Sequence, residues 1–335
     1  MKIEHFDLVL IKDDDKPYVG GEEMKGHVEI VISQPVQISR LSLRIFGEAQ
    51  TAWSEKRAEA TYNSREFVLD EYMDLTSELY IHCNESMEFH AGKHLLEFKT
   101  RLPMDVVSSV ERENMGSVRY TCMAILDVPE GGDSQIIAER EFKVVSFLNL
   151  DAPYLRESVS GSGEVQRYSY CFHKPRGQIK AEVQVAELGI LPGETVRIQI
   201  NFENTMKKKR LKKKNQKCAL LSLCQQIDFR SQHTANPGVF AQKSVTIAVH
   251  SQASARLRSA LKFSCFQGTC KATPGNGPET RYVEFDVPEN LPSTSVSAHG
   301  LVTCSYFFRL DMQHFDVIVP VVVGSVKSFG SEVFH

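Results

Sequence analysis

The feature of this chain that most constrains its fold is a phrase that occurs twice. Gly21-Glu22 leads into apolar residues at alternate positions, and Gly193-Glu194, which stands 172 positions later, does the same. An apolar residue at every second position is typical of a half-buried β-strand. A Leu-Pro pair follows in each half, Leu102-Pro103 and Leu291-Pro292, ahead of a segment rich in aromatic and β-branched residues. Repetition in the same order predicts two copies of one β-rich building block.

Length and composition favour a two-domain globular protein. The chain has 335 residues, of which 42% are hydrophobic and 24% are charged, whereas fibrous and disordered proteins depart from such values. A length above 300 favours two domains, since a domain commonly holds about 100–200 residues. The most apolar stretch, residues 315–326, contains Asp316 and Pro320 and is shorter than the roughly 20 residues that span a bilayer. Because residues 1–5 also lack the features of a secretory signal, we expect a cytoplasmic protein.

Strand-like segments separated by turn signals follow one another through both halves. They are residues 6–10, 26–32, 38–46, 95–98, 118–126 and 141–147, then 167–173, 178–185, 195–202, 219–229, 244–250, 262–266, 282–287, 301–310 and 315–323. So many short strands predict an all-β fold of two tandem immunoglobulin-like antiparallel β-sandwich domains. The polar residues 54–79 are expected to form a long loop or a hairpin extension.

A segment of low apolar content is predicted to separate the two domains. It begins near Asn149, contains Asp-Ala-Pro, and ends in a run of serine and glycine from Ser158 to Gly163. Such a composition is typical of linkers. The predicted organisation is an N-terminal sandwich at 1–149, a linker at 150–164, a C-terminal sandwich at 165–326 and a short tail at 327–335.

The two halves differ strongly in charge. Residues 1–150 hold 16 basic and 27 acidic side chains, a net charge of −11, whereas residues 151–335 hold 23 and 15, a net charge of +8. Attraction between exposed charges is screened within about 8–10 Å in physiological salt, so the asymmetry can orient the halves but hardly holds them together. Alternatively, the basic half meets an anionic membrane or a phosphorylated partner.

The most concentrated charge lies between two predicted strands, where eight of the eleven residues from 207 to 217 are cationic. The candidates for contact with phosphate or an anionic membrane are Lys207, Lys208, Lys209, Arg210, Lys212, Lys213 and Lys214. A cytoplasmic leaflet would contribute about 1 kcal/mol per cation. A solvated loop without a special partner is an equal alternative. Nucleic-acid binding is less favoured, because no aromatic side chains interleave with the cations to stack on bases.

Other charged, flexible and aromatic residues are interpreted as structural. Arg40, Arg44 and Arg119 are expected to pair with acidic neighbours on strand faces rather than to bind a ligand. Gly21, Gly26 and Gly193 are expected at turns or close approaches. Trp53 is expected to be half-buried in its sheet, and Tyr120 and Tyr306 to lie in the core or at its rim.

No catalytic or metal-binding motif is present. The chain lacks Gly-x-Ser-x-Gly, His-Glu-x-x-His and paired Cys-x-x-Cys sequences, which mark common hydrolases and metal sites. The spacings of Cys218 with Cys224 and of Cys265 with Cys270 do not fit a zinc site, and His82-Cys83 is interpreted as chance adjacency. The eight cysteines are therefore expected to be free thiols, and no catalytic residue, metal or cofactor is predicted.

Short phrases in a fixed order resemble a known family. They are Tyr18-Val19-Gly20-Gly21, Gly26-His27-Val28, Phe46-Gly47-Glu48-Ala49 with Trp53, Gly116-Ser117-Val118-Arg119-Tyr120, Gly189-Ile190-Leu191-Pro192-Gly193-Glu194 and Val319-Pro320-Val321-Val322-Val323-Gly324. Over nearly its full length the chain resembles the arrestin superfamily, in particular the α-arrestins or arrestin-domain-containing proteins.

The resemblance implies two arrestin-like sandwiches that act as a non-enzymatic intracellular adaptor. Members of the family select membrane cargo such as receptors and transporters, and many recruit ubiquitin ligases through Pro-Pro-x-Tyr motifs in a C-terminal tail. Because this sequence has no Pro-Pro pair, a ligase is expected to join only indirectly, through a tailed relative, or through a tail outside this sequence. The implied location is the cytoplasm at the plasma membrane and endosomes.

Two other functions remain open at this point. A retromer-like vesicle-coat subunit resembles the same double sandwich and would belong to a fixed complex. An enzyme would need titratable side chains that only folding brings together.

Overall fold

The structure is a computed structural model that describes residues 2–56, 59–79, 88–129, 134–168, 175–205, 220–249, 279–297, 300–312 and 315–328. The strands of the first half are β1 (Ile3–Leu10), β2 (Tyr18–Val19), β3 (Glu23–Ile32), β4 (Val36–Gln37), β5 (Arg40–Glu55), β6 (Ala60–Asp74), β7 (Glu88–Phe89), β8 (Gly92–Arg101), β9 (Val110–Arg112), β10 (Gly116–Val128), β11 (Ser134–Phe142) and β12 (Val144–Val145). Those of the second half are β13 (Val159–Tyr168), β14 (Pro175–Val185), β15 (Gly189–Ile190), β16 (Thr195–Asn204), β17 (Leu220–His233), β18 (Asn236–Ala248), β19 (Glu279–Asp286), β20 (Val302–Asp311) and β21 (Asp316–Val323). The helical elements described are α1 (Thr76–Leu79) and a 3-10 turn (Pro153–Arg156).

The chain forms two compact units. Unit 1 consists of Met1–Phe147, Asp228–Lys243 and Ser297–Thr303, and unit 2 of Leu148–Ile227, Ser244–Val296 and Cys304–His335. Both are β-sandwiches, which confirms the predicted fold class.

The sandwich of unit 1 has a small and a large sheet. The small sheet has the order β1-β3-β8, and the large sheet contains β11-β10-β5-β6 with β9 on β10. Val28 of β3 is fully buried between Leu8 and Leu96, its partners on either side. From the large sheet, Leu43 and Tyr120 are fully buried as well. Alternate residues of each strand therefore fill the core, as the period of two requires.

The sandwich of unit 2 follows the same plan. One sheet has the order β13-β14-β16-β19, and the other contains β20 paired with β21, which is joined in turn by the two-residue parallel strand β15. Phe285 and Phe308 are fully buried and pack edge to face with ring centroids 5.1 Å apart. Such a geometry is favourable for aromatic pairs.

The described residues between 54 and 74 extend a hairpin, one of the two alternatives that the sequence left open for residues 54–79. Strand β5 runs to Glu55, and β6 returns from Ala60 to Asp74 in antiparallel register, with Arg44 opposite Tyr72. A bulge between Gly47 and Glu48 adds one residue to β6.

The predicted linker at 150–164 ends in a strand, so its last part is not an irregular connection. Val159 to Tyr168 form strand β13, which pairs residue for residue with β14. Gly161 lies against the backbone carbonyl of Ile318, and Gly163 against the ring of Phe315. A side chain at either glycine would clash, so the small residues permit a close approach between strands rather than a flexible connection.

The two Gly-Glu turns have the same backbone geometry. Gly21 and Gly193 both have φ of 81°, in the left-handed region that glycine adopts without strain. The amide of Gly21 donates to the carbonyls of Leu102 and Pro103, and that of Gly193 donates to those of Val287 and Pro288. The structural counterpart of Leu102-Pro103 is therefore Val287-Pro288, and the match with Leu291-Pro292 predicted from the sequence is wrong by four residues.

Candidate docking surface on unit 1

The candidate site is the outward face of the large sheet of unit 1, here called the β6–β11 face. Antiparallel sheets commonly pack one face on the core and leave the other in water. The register places side chains of β6, β5, β10 and β11 in rows across this face. One row holds Tyr72, Arg44, Met123 and Glu139, and the next ends in Ile125 and Ile137.

This face is unusually apolar for an outward surface. Tyr72 is 62% exposed, Phe67 50% and Ile137 48%, and between them lie the half-buried Phe46 and Met123. Single exposed apolar residues are ordinary, but a contiguous group with a polar border is typical of an interaction site.

Arg44 holds the aromatic part of the face together. Its Nε and Nη2 donate to the two carboxylate oxygens of Asp70 at 2.7 and 3.1 Å. Its guanidinium carbon lies 4.8 Å from the ring centre of Phe46, 5.6 Å from that of Phe67 and 5.1 Å from that of Tyr72. The hydrogen bonds from Arg44 lower the pKa of Asp70, and the same bonds raise the pKa of Arg44. The pair stays charged, and three rings are fixed around one cation.

The other arginines of this face are also paired. Arg65 forms an ion pair with Glu48 and lies over the ring of Phe67. Arg119 forms an ion pair with Glu111, whose hydrogen bond raises the pKa of the guanidinium. Arg44 and Arg119, two of the three arginines singled out in the sequence, thus pair with acidic neighbours on strand faces as predicted. For Arg40, the described contact is an electrostatic one with Asp74.

Carboxylates border the apolar part of the face. Asp127 accepts a hydrogen bond from Gln135. Asp74 accepts one from the backbone amide of Thr76, and the hydroxyl and amide of Thr76 lower the pKa of Asp74. Glu139 and Glu141 stand two residues apart on β11 and are both exposed. Among the described residues, Glu139 has no ion-pair partner, so the border carries negative charge that the face does not neutralise.

The small sheet of unit 1 and the β13-β14-β16-β19 sheet of unit 2 have outward faces that differ from the β6–β11 face. In unit 1, Glu23 pairs with both Lys25 and Lys99, and Glu29 pairs with Lys93. In unit 2, the face of β14, β16 and β19 contains a shallow, mostly polar depression of about 420 Å³ whose lining includes Glu182, Gln199, Asn201 and Thr280. Their side chains hydrogen-bond to one another through Asn201. These faces are mainly polar, although each also exposes one large apolar side chain, Leu95 in unit 1 and Tyr282 in unit 2.

A second aromatic cluster of unit 1 is mostly buried. Trp53 stacks on Tyr62 at 5.5 Å between centroids, and the ring of His233 packs edge-on against Tyr62. Lys243 covers Trp53 at 5.1 Å. Trp53 is only 6% exposed, so its expected half-burial underestimated how closely the neighbouring segment packs on it.

The remaining predicted site residues fall into two groups. The cationic residues 207–214, His82-Cys83 and the cysteine pairs 218/224 and 265/270 lie wholly or partly outside the described residues, so their roles stay predictions. Cys122, Cys224 and Cys304 are buried free thiols, and burial raises the pKa of the Cys122 thiol to about 12. Across the described ranges, no three His, Cys, Asp or Glu side chains are placed to hold a metal ion, and no helix has the length and apolarity to cross a bilayer.

Sequence reasoning missed the β6–β11 face, although one signal was available. Phe46 stands two residues after Arg44, so both must share a face of the strand. Phe67 and Tyr72 lay in the segment interpreted as polar, and their arrival beside Arg44 depends on the pairing of β5 with β6.

The fold and this surface define a tandem β-sandwich protein. Family models of the arrestin (or S-antigen) N-terminal domain and C-terminal domain match residues 8–151 and 175–328. The chain belongs to the arrestin family, among the arrestin-domain-containing proteins or α-arrestins.

Curated relatives agree with this assignment. Arrestin domain-containing protein 17 of Caenorhabditis elegans is 22% identical over all of this chain and 74% of its own length. Human arrestin domain-containing protein 4 is 27% identical over 59% of this chain, and human thioredoxin-interacting protein is 24% identical over 61%. The matched regions cover 48% and 51% of those two human proteins, so the chain spans about half the length of each.

Proposed function

We propose that this protein is a non-enzymatic intracellular adaptor that binds cytoplasmic segments of membrane receptors or transporters and connects them to the trafficking machinery. The observation that carries the proposal is the succession of two arrestin domains over nearly the whole chain. The β6–β11 face adds a surface with the composition of a protein-binding site.

The location that follows is the cytoplasm next to the plasma membrane and endosomes, and a contribution to endocytosis or sorting is the expected outcome. A ubiquitin ligase is proposed to join through a tailed relative, or through a Pro-Pro-x-Tyr tail outside this sequence, which itself contains no such motif. The cationic residues 207–214 are proposed to add contact with anionic lipid or phosphate.

Proximity labelling in intact cells tests the adaptor role. The chain fused to a labelling enzyme is expected to enrich membrane receptors or transporters above a fusion of the same enzyme to an unrelated cytoplasmic protein. If no membrane proteins are enriched, the adaptor role is wrong. If the neighbours instead form one complex of fixed stoichiometry, a coat subunit is the better description.

The cationic residues can be tested separately. Replacing Lys207 to Lys214 by neutral residues is expected to weaken binding to vesicles that contain phosphatidylserine and to phosphopeptides, because the charge that attracts anions is removed. Unchanged binding to both would contradict the proposed role of this segment.

A further inference from the structure

We infer that the β6–β11 face binds a basic peptide segment, in which an apolar side chain is followed at alternate positions by lysine or arginine. This inference rests on the proposed function and specifies the chemistry of the cargo. Cytoplasmic segments next to transmembrane helices carry an excess of Lys and Arg, so they are the natural source of such a segment.

The spacing along β11 sets the pattern. Ile137, Glu139 and Glu141 all point outward from one strand, and alternate residues of a strand lie about 7 Å apart. An extended peptide lying over β11 has the same spacing between its alternate side chains. It can therefore place an apolar side chain over Ile137 and two cations over the two glutamates.

The apolar position is larger than Ile137 alone. Ile137 lies opposite Ile125 of β10. Two residues further along β11, on the same face, Glu139 lies opposite Met123. Met123 in turn lies beside Arg44, whose guanidinium fixes the rings of Phe46 and Tyr72. Because these rings are already held in place, a partner loses little side-chain entropy from this surface when it binds.

The charge of the face selects a cation rather than an anion. Its arginines Arg44, Arg65 and Arg119 are each paired with a carboxylate of the same unit. Arg40 stands opposite Asp127 in the sheet and interacts electrostatically with Asp74. The carboxylates of Glu139 and Asp127 form no ion pair in the described part of the chain, whereas Glu141 interacts electrostatically with Arg119. The border therefore keeps an excess of negative charge. A phosphorylated or acidic segment would meet repulsion here, whereas a basic segment gains attraction and faster association.

Binding of two synthetic peptides to the full chain tests the inference. The first carries leucine, lysine and lysine at alternate positions with serine between them, and the second carries glutamate in place of lysine. Fluorescence anisotropy is expected to detect binding of the basic peptide only, and to show weaker binding as the salt concentration rises. Equal binding of both peptides, or binding that does not depend on salt, would overturn the assignment of charge.

Variants of β11 locate the site. The double variant Glu139→Lys with Glu141→Lys is expected to lower the affinity for the basic peptide about tenfold, since two attractions become repulsions. Ile137→Ser is expected to lower the same affinity about fivefold, because an apolar contact is lost. The small sheet provides a matched control, because β8 exposes Leu95 and Glu97 at the same spacing. Leu95→Ser with Glu97→Lys should leave the affinity unchanged, and an equal loss in this control would place the peptide elsewhere.

The results of the peptide assay and of proximity labelling can be separated. If the chain enriches membrane proteins in cells but binds neither peptide, the adaptor role stands and the inferred cargo chemistry is wrong. If the basic peptide binds through β11 while no membrane proteins are enriched, the surface is a basic-peptide site and the adaptor role is wrong. Retained circular dichroism and thermal unfolding of each variant ensure that a lost affinity is not a lost fold.

Discussion

The Gly-Glu turns of the two units have the same backbone but different charge partners. In unit 1, Glu22 pairs with Lys12 at 2.6 Å, and Lys12 also lies over the ring of Tyr18. In unit 2, the Oε2 of Glu194 lies 3.5 Å from the Nζ of Lys327, which pairs more closely with Glu187 at 2.7 Å. Glycine and backbone hydrogen bonds therefore specify the turn in both units, whereas the lysine near its glutamate comes from a different segment in each.

The two central tyrosines extend this comparison. Tyr120 is fully buried, and its hydroxyl donates to the carbonyl of Val107 at 2.7 Å. Tyr306 is 2% exposed and donates to the carbonyl of Pro292 at 2.7 Å, but its hydroxyl also accepts from Gln225 at 2.8 Å. The hydroxyl of Tyr120 thus has one described hydrogen bond, whereas that of Tyr306 has at least two.

The largest expected effect comes from removing these hydroxyls. Tyr306→Phe is expected to destabilise unit 2 by about 2–4 kcal/mol, since the loss of one hydroxyl breaks two buried hydrogen bonds. Tyr120→Phe is expected to destabilise unit 1 by about 1–2 kcal/mol, since one bond is lost. Hydrogen exchange of the core strands of each unit measures both effects separately.

Tyr154→Phe serves as the control, because Tyr154 is 62% exposed and should tolerate the change. Equal losses for Tyr120→Phe and Tyr306→Phe would show that the second hydrogen bond of unit 2 contributes nothing to stability.

The next effect concerns the turn glycines. Gly193→Ala is expected to cost about 1 kcal/mol, because alanine is strained at positive φ while the nearest atom, the Cγ of Glu289, is 3.5 Å from the new methyl group. Gly21→Ala is expected to cost about 1–2 kcal/mol, slightly more than Gly193→Ala, because its methyl group would also displace the flexible side chain of Met104, which is 57% exposed.

The double variant Gly21→Ala with Met104→Ala separates collision from backbone strain, after allowance for the cost of Met104→Ala alone. In this background, thermal unfolding should show that Gly21→Ala destabilises the protein about as much as Gly193→Ala does. If Gly21→Ala costs no more than Gly193→Ala, the two turns are alike in packing as well as in backbone.

The smallest effect is electrostatic. Hydrogen bonds from Lys25 and Lys99 lower the pKa of Glu23 in unit 1 to about 2, and those from Ser328 and Arg156 lower the pKa of Asp151 in unit 2 to about 2. A carboxyl with a lowered pKa stabilises the folded state above its ordinary pKa, and this contribution is lost as the pH falls towards about 2. Both side chains are in contact with solvent, so salt should weaken the effect in each unit.

The carboxyl resonances of Glu23 and Asp151, followed by NMR from about pH 5 to about pH 2, should shift at lower pH than those of ordinary carboxyl groups. Over the same range, the difference in thermal stability between the wild type and Glu23→Gln, or Asp151→Asn, should shrink as the pH falls. A difference that grows on acidification would reverse the sign argued for these pairs.

Much of the fold followed from local sequence signals. The apolar alternation in residues 26–32 and 118–126 predicted strands that the structure contains as β3 and β10. The serine- and glycine-rich segment misled for a physical reason, since composition alone cannot distinguish a flexible linker from a strand that needs small residues for close packing. Gly161 and Gly163 lack side chains because β21 lies against them.

Less of the candidate surface followed from the sequence. Arg44 was expected to pair with an acidic neighbour, and its partner is Asp70. The register of β5 with β6 decides which acidic residue pairs with Arg44. It also decides that three rings surround the guanidinium of Arg44. The bulge after Gly47 shifts that register by one residue, and no local pattern announces it.

The sequence by itself determined two β-sandwiches, an acidic first half and the Gly-Glu turns, because strand periodicity, charge and backbone freedom belong to residues and their immediate neighbours. Only the tertiary structure decided that Phe67 and Tyr72 join Arg44 and Ile137 on one face. The physical reason is that membership of a face is set by pairing across strands distant in the chain, where a one-residue shift moves a side chain from water to core.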